Sequence, residues 1–144
     1  MVKIDHEYVK KLINEITEGL DEIKNIITLS IDDFIQNRSM RFSMRYSIVL
    51  IVEAAADLGL IILRSYFNEK AENYREIFLK LTEKGVLSYN IAERMSALTS
   101  LRNMIVHRYW SIDDVRIYRE AKNNGVRVIE KFIKEVEKYV FKKA

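Results

Sequence analysis

The 144 residues contain no proline and only four glycines, while apolar side chains recur every three or four positions along the chain. Proline and glycine are the residues that most often stop helices and shape turns, and a period near 3.6 is the signature of a helix with one buried face. The sequence therefore predicts an all-α protein, a bundle of about five helices. Hydrophobic residues make up 49% of the chain, enough for residues 1–144 to bury one core as a single domain. No internal repeat or low-complexity tract divides it.

The helices can be placed from their stripes and caps. Val9, Leu12, Ile13, Ile16, Leu20, Ile23 and Ile27 share one face of a helix over about residues 5–30, with Asp5 as its cap. A second helix is expected from near Met40 to Phe67, after the polar stretch Gln36–Ser39. Asn73 with Glu76 has the form of a capping box and Gly85 that of a C-terminal stop, so residues 73–84 make a third. Ser88 opens a fourth, with Ile91, Met95, Leu98, Leu101 and Ile105 as its core stripe, ending near His107. Ser111 with Asp114 repeats the capping pattern before a last helical region that reaches nearly to the end. Asn123-Asn124-Gly125 marks a kink within it.

The middle of the second helix, Tyr46 to Leu63, is apolar on nearly every side. Glu53 and Asp57 interrupt it, and each would cost about 2–3 kcal/mol at the centre of a bilayer. The sequence thus predicts a helix buried between neighbours, or at a subunit interface, rather than a membrane span. The first residues mix charges and offer no apolar signal segment, so a cytoplasmic setting is expected. A chain without cysteine has no disulfide and no thiolate nucleophile, and two histidines fall short of a usual zinc set; carboxylate-bound magnesium stays open. No cofactor is expected. A net charge of +3 does not by itself point to a nucleic acid.

The chemistry concentrates in Arg102-Asn-Met-Ile-Val-His107-Arg-Tyr109. His107 can move protons near neutrality, and Arg102 can grip and neutralise a phosphate with its fork of donors. At 100° per residue the two stand about 140° apart on an unbroken helix, too far to serve one small group directly. Either the helix ends near His107 and frees the imidazole, or two chains share a cleft across a twofold axis. On residue chemistry alone, His107 can equally be a favourable charge at a helix C-terminus.

The pattern R-x4-H-x-Y in a short all-helical chain resembles the signature of HEPN-domain ribonucleases, and most closely the HepT toxins. The resemblance implies a dimeric HEPN bundle whose motifs face each other across the interface, and metal-independent RNA cleavage by internal transesterification. His107 would move protons, Arg102 would stabilise charge on the phosphorus oxygens, and the product would be a 2′,3′-cyclic phosphate. Asn103 would bind phosphate or orient His107. HepT toxins pair with a minimal nucleotidyltransferase antitoxin, and Tyr109 matches the tyrosine to which that partner attaches AMP. The added charge and bulk would block RNA. Arg108 is an additional positive charge beside the motif.

Glu53 and Asp57 lie one turn apart and share a face; as buried carboxylates they need a partner, for which Arg102 is the natural candidate and Arg64 or Arg45 the structural alternatives. Arg38, Arg41 and Arg45 line one face at the start of the second helix and are candidates, with Arg108, for contact with the RNA backbone. A solvated helix end is the plainer reading. Dimerisation is expected through the second and fourth helices. Two other functions fit the same chain: a non-catalytic helical dimer that binds a nucleotidyltransferase or nucleotide as an interaction module, and an RNA-binding protein without cleavage.

Overall fold

The computed structural model describes residues 3–107 and 111–141, and every regular element among them is helical. Helix α1 spans His6–Ile26, α2 Ile31–Gln36, α3 Arg38–Phe67, α4 Tyr74–Glu83 and α5 Tyr89–His107; α6, Asp114–Glu120, runs through a π-turn, Ala121–Gly125, into α7, Val126–Phe141. The all-α expectation holds, and each of the five helical regions is present. Their ends are adjusted by local chemistry. Helix α1 stops at Ile26 rather than near residue 30, followed by a turn in which the Thr28 hydroxyl donates to the Asn25 carbonyl at 2.6 Å.

A short helix, α2, occupies residues between the first two stripes. It is capped by Ser30, whose hydroxyl accepts from Asp33 N, and it buries Phe34 completely. Asn37 then caps α3, accepting from Met40 N at 3.1 Å, so that helix starts two residues earlier than its apolar stripe suggests. Asn73 caps α4 by accepting from Glu76 N at 2.9 Å. At its other end Gly85, at φ 77°, donates to Thr82 O while Val86 donates to Leu81 O, a Schellman closure that a residue with a side chain adopts only under strain. Asp113, not Ser111, caps α6: its Oδ1 accepts from Arg116 N at 3.0 Å. The expected kink at Asn123-Asn124-Gly125 takes the form of the π-turn.

Helix α3 is the axle. It lies along α1 and also touches α2, α4, α5 and α6, while α7 closes the far side against α1 and α5. By length and composition α3 could cross a membrane, but 61% of its most apolar stretch is buried inside the fold. Gly59 lets α4 come close, since a Cβ there would stand 2.4 Å from Ile77 Cγ2. Phe78 of α4 meets Phe132 of α7 edge-on, with centroids 6.1 Å apart and both rings fully buried. Removing such a ring typically costs about 3–5 kcal/mol. Tyr118 ties α6 to the turn after α1, packing on Phe34 and donating its hydroxyl to the Leu29 carbonyl.

Candidate active site

Helix α5 seats itself through Ile91, Ala92, Met95, Leu98 and Leu101, all buried. That choice of inward face leaves Thr99, Arg102 and Asn103 on its flank, against α3 and the start of α4. Arg102 Nη2 donates to Glu53 Oε2 of α3 at 2.9 Å, and its Nη1 donates to Asn103 Oδ1 at 2.9 Å. Its guanidinium carbon lies 5.0 Å from the centre of the Tyr74 ring. With 17% of its side chain exposed, Arg102 is held more deeply than a surface arginine, and its Nε is buried without a hydrogen-bond partner among the described residues.

Helix α5 continues without a break through His107, its last described residue. The described helix thus reaches the end expected for it near His107, and within it Arg102 and His107 keep their separation of about 140°. Asn103, one turn before His107, shares its face to within about 40°. Asn103 accepts from the guanidinium, and His107 is an exposed residue one turn further along that face.

Glu53 pairs with Arg102, but Asp57 does not join the set, and neither carboxylate is buried as the sequence suggested. The Glu53 side chain is 45% exposed and Asp57 is an exposed residue. The Asp57 carboxyl is raised above its usual range by partial desolvation, then by the negative charges of Glu53 and Glu15.

The basic trio divides. Arg38 is exposed and Arg41 half-buried. Arg45 is engaged elsewhere: Nε and Nη2 grip Asp114 at 2.9 and 2.6 Å, and the guanidinium packs over Phe42. That bidentate pair, which raises the Arg45 pKa, anchors the first turn of α6 to α3. Arg108 and Tyr109 lie outside the described residues.

Sequence reasoning missed Tyr74, Arg75 and Thr99. With Asn73, Arg102 and Asn103 they line a pocket of about 440 Å³ beside the Arg102 guanidinium. The only local signal was Asn73, which read as a cap; the fold alone brings the start of α4 against α5. Among the described residues, no group of three or more histidines and carboxylates is gathered as a metal site.

A sequence model of the family described as Ribonuclease HepT-like matches residues 16–136. The chain is 23% identical over 140 residues to a protein of Aphanizomenon flos-aquae named tRNA nuclease HepT, an alignment covering 97% of this chain and 95% of that protein. Its fold is similar to that of a tri-AMPylated HEPN toxin from Shewanella oneidensis solved in complex with an MNT antitoxin. The TM-score there is 0.83 at 18% identity, covering 90% of this chain and 96% of that one. It is also similar to YutE, a cytosolic protein of unknown function from Bacillus subtilis, with TM-score 0.82 at 18% identity, covering 97% of this chain and 93% of the other. At that level of identity the two structural likenesses concern the fold.

Proposed function

This chain belongs to the HepT-like ribonuclease family, and from that premise we propose that it is a metal-independent RNA endonuclease, the cytoplasmic toxin of a toxin–antitoxin pair. The observation that carries this reading is Arg102, fixed by Glu53 and Asn103 on the helix that ends in His107. A guanidinium whose orientation is set before substrate arrives can stabilise charge as it builds on phosphorus, with no reorganisation at that moment. His107 moves protons. The 2′-oxygen attacks phosphorus as its proton leaves, the bond to the 5′-oxygen breaks, and that oxygen takes up a proton. The products are a 2′,3′-cyclic phosphate and a 5′-hydroxyl, and DNA resists because it lacks the nucleophile.

The catalytic unit is a homodimer. Phe42, Tyr46, Val49, Glu53 and Leu60 fall within about 60° of arc on the outer side of α3, and Phe42, Tyr46 and Leu60 are exposed to 52%, 66% and 37%. A second copy laid on this stripe would cover the Glu53–Arg102 pair and bring two motifs to one cleft. Arg38, Arg41 and Arg108 add contacts to the RNA backbone, and Asp57 borders the same face. The relative named tRNA nuclease makes tRNA the first substrate to test. The complex formed by the Shewanella toxin supports a minimal nucleotidyltransferase as partner, with Tyr109 as the residue it modifies.

The deciding experiment incubates the purified protein with tRNA in EDTA and identifies the 3′ ends by mass. Cleavage with cyclic-phosphate ends is expected, with losses of about 10²-fold or more in His107→Ala and in Arg102→Ala. Full activity in either variant, or loss of activity in EDTA, overturns the reading.

A further inference from the structure

The pocket beside Arg102 contains the kinds of group a nucleotide needs. Its wall holds the Tyr74 ring with the Arg102 guanidinium stacked 5.0 Å from its centre, a platform on which a base can add a further layer. Arg102 Nη1 and Nη2 each donate once within the chain, which leaves guanidinium donors for a phosphate. Asn103 accepts from Arg102 through Oδ1, so its two amide hydrogens stay available. Arg75, an exposed residue, lines the pocket at its rim. The Thr99 hydroxyl donates to Met95 O at 3.1 Å and offers the pocket an acceptor.

The pocket also has a defined place relative to His107. Thr99, Asn103 and His107 form an i, i+4, i+8 row on α5, so the Asn103 wall lies about 6 Å before His107 along the helix axis. A strand following this row would set one nucleotide in the pocket and the neighbouring phosphate at the imidazole. The volume of about 440 Å³ admits a group of that size.

We propose that this pocket is the subsite for the nucleotide flanking the cleaved bond, with the Tyr74–Arg102 stack as the platform for its base and Arg75 as the clamp on its outer phosphate. The proposal rests on the ribonuclease reading, and binding separates the two. In a His107→Ala background, which holds RNA without cutting it, the affinity for a fluorescein-labelled single-stranded RNA is followed by anisotropy over a range of salt. Adding Arg75→Ala should weaken binding about tenfold and lower the slope of log affinity against log salt by about 0.7, the mark of one lost phosphate contact. Tyr74→Leu should also weaken binding about tenfold, while Tyr74→Phe, which keeps the ring, should bind as the parent does. Arg75 is exposed, so its variant keeps the test valid if Tyr74→Leu fails to fold. A parent that binds RNA, with Arg75→Ala unchanged in affinity and slope, overturns the subsite and leaves the ribonuclease reading standing. A parent that binds no RNA, from a wild type that cuts none, overturns both.

Discussion

Glu53 on α3 and Arg102 on α5, 49 residues apart in sequence, meet through a 2.9 Å hydrogen bond between Oε2 and Nη2. With Glu53 half exposed, the pair contributes at most about 1 kcal/mol to stability. Its effect should fall on orientation. Glu53→Gln keeps an acceptor but removes the charge, and should lower RNA cleavage roughly ten- to a hundredfold while the melting temperature moves little. Steady-state cleavage beside a thermal melt checks both halves; a large fall in melting temperature with normal cleavage would make the pair a structural brace.

Tyr109→Phe keeps the ring and removes the acceptor oxygen. With a cognate nucleotidyltransferase, ATP and magnesium, the wild-type chain should gain one or more AMP units and lose cleavage while remaining folded. The Phe variant should stay an active nuclease that the partner cannot silence by modification. Intact mass and fragmentation decide this, and AMP found on the Phe variant would move the switch to another residue.

The exposed stripe on α3 predicts association. Light scattering at micromolar concentration should report about twice 17.1 kDa, and Tyr46→Asp, which sets a charge where a 66%-exposed ring now stands, should shift the protein toward monomer. A wild-type monomer, or an undisturbed dimer in Tyr46→Asp, would place the interface elsewhere or remove it.

Asp57 carries a pH signature. Its folded-state pKa is raised, first by desolvation and then by Glu53 and Glu15, so the ionised carboxylate opposes folding at neutral pH and the opposition disappears as pH falls through the carboxylate range. Asp57→Asn, which resembles the protonated acid, should melt higher than wild type at pH 7. In acid, below the unfolded-state pKa of Asp57, the two should melt together. A gain that persists unchanged there would need another cause.

Gly59→Ala should destabilise despite alanine's better helix propensity. The new Cβ would stand 2.4 Å from Ile77 Cγ2 and 3.1 Å from Leu81 Cδ1, and overpacking of this kind costs about 1–3 kcal/mol against a propensity gain of about 1. Ile77→Ala creates a cavity on its own. The double variant should therefore lose less than the two single losses combined, a coupling that denaturant melts can measure.

The long helices were legible because each buries a stripe that the sequence repeats at helical spacing, as Val9 through Ile23 do for α1 and Ile91 through Leu101 for α5. Helix α2 was not, since six residues with one buried side chain, Phe34, carry no period. The pairing of Glu53 with Arg102 could be anticipated because an apolar helix interrupted by acids needs a cation nearby. Asp114, 69 residues from Arg45, and Tyr74, on a separate helix, gave no such cue. Their roles depend on which helices lie side by side, and that is a property of the packed bundle.

The π-turn at Ala121–Gly125 bears on how this chain can tolerate a change in its length. A π-turn absorbs one residue more than an α-helical turn does, so the helix beyond it presents the same faces as a helix one residue shorter would. Deleting one residue among Lys122, Asn123 and Asn124 would convert the turn to ordinary α-helix and leave Ile117 and Tyr118 before it, and Ile129 and Phe132 after it, facing the core as they do now. The same deletion within α7 would rotate every later side chain by about 100° and carry Val136 and Val140 toward solvent. The C-terminal rod thus holds one residue of slack, and it lies where the short α6 meets α7.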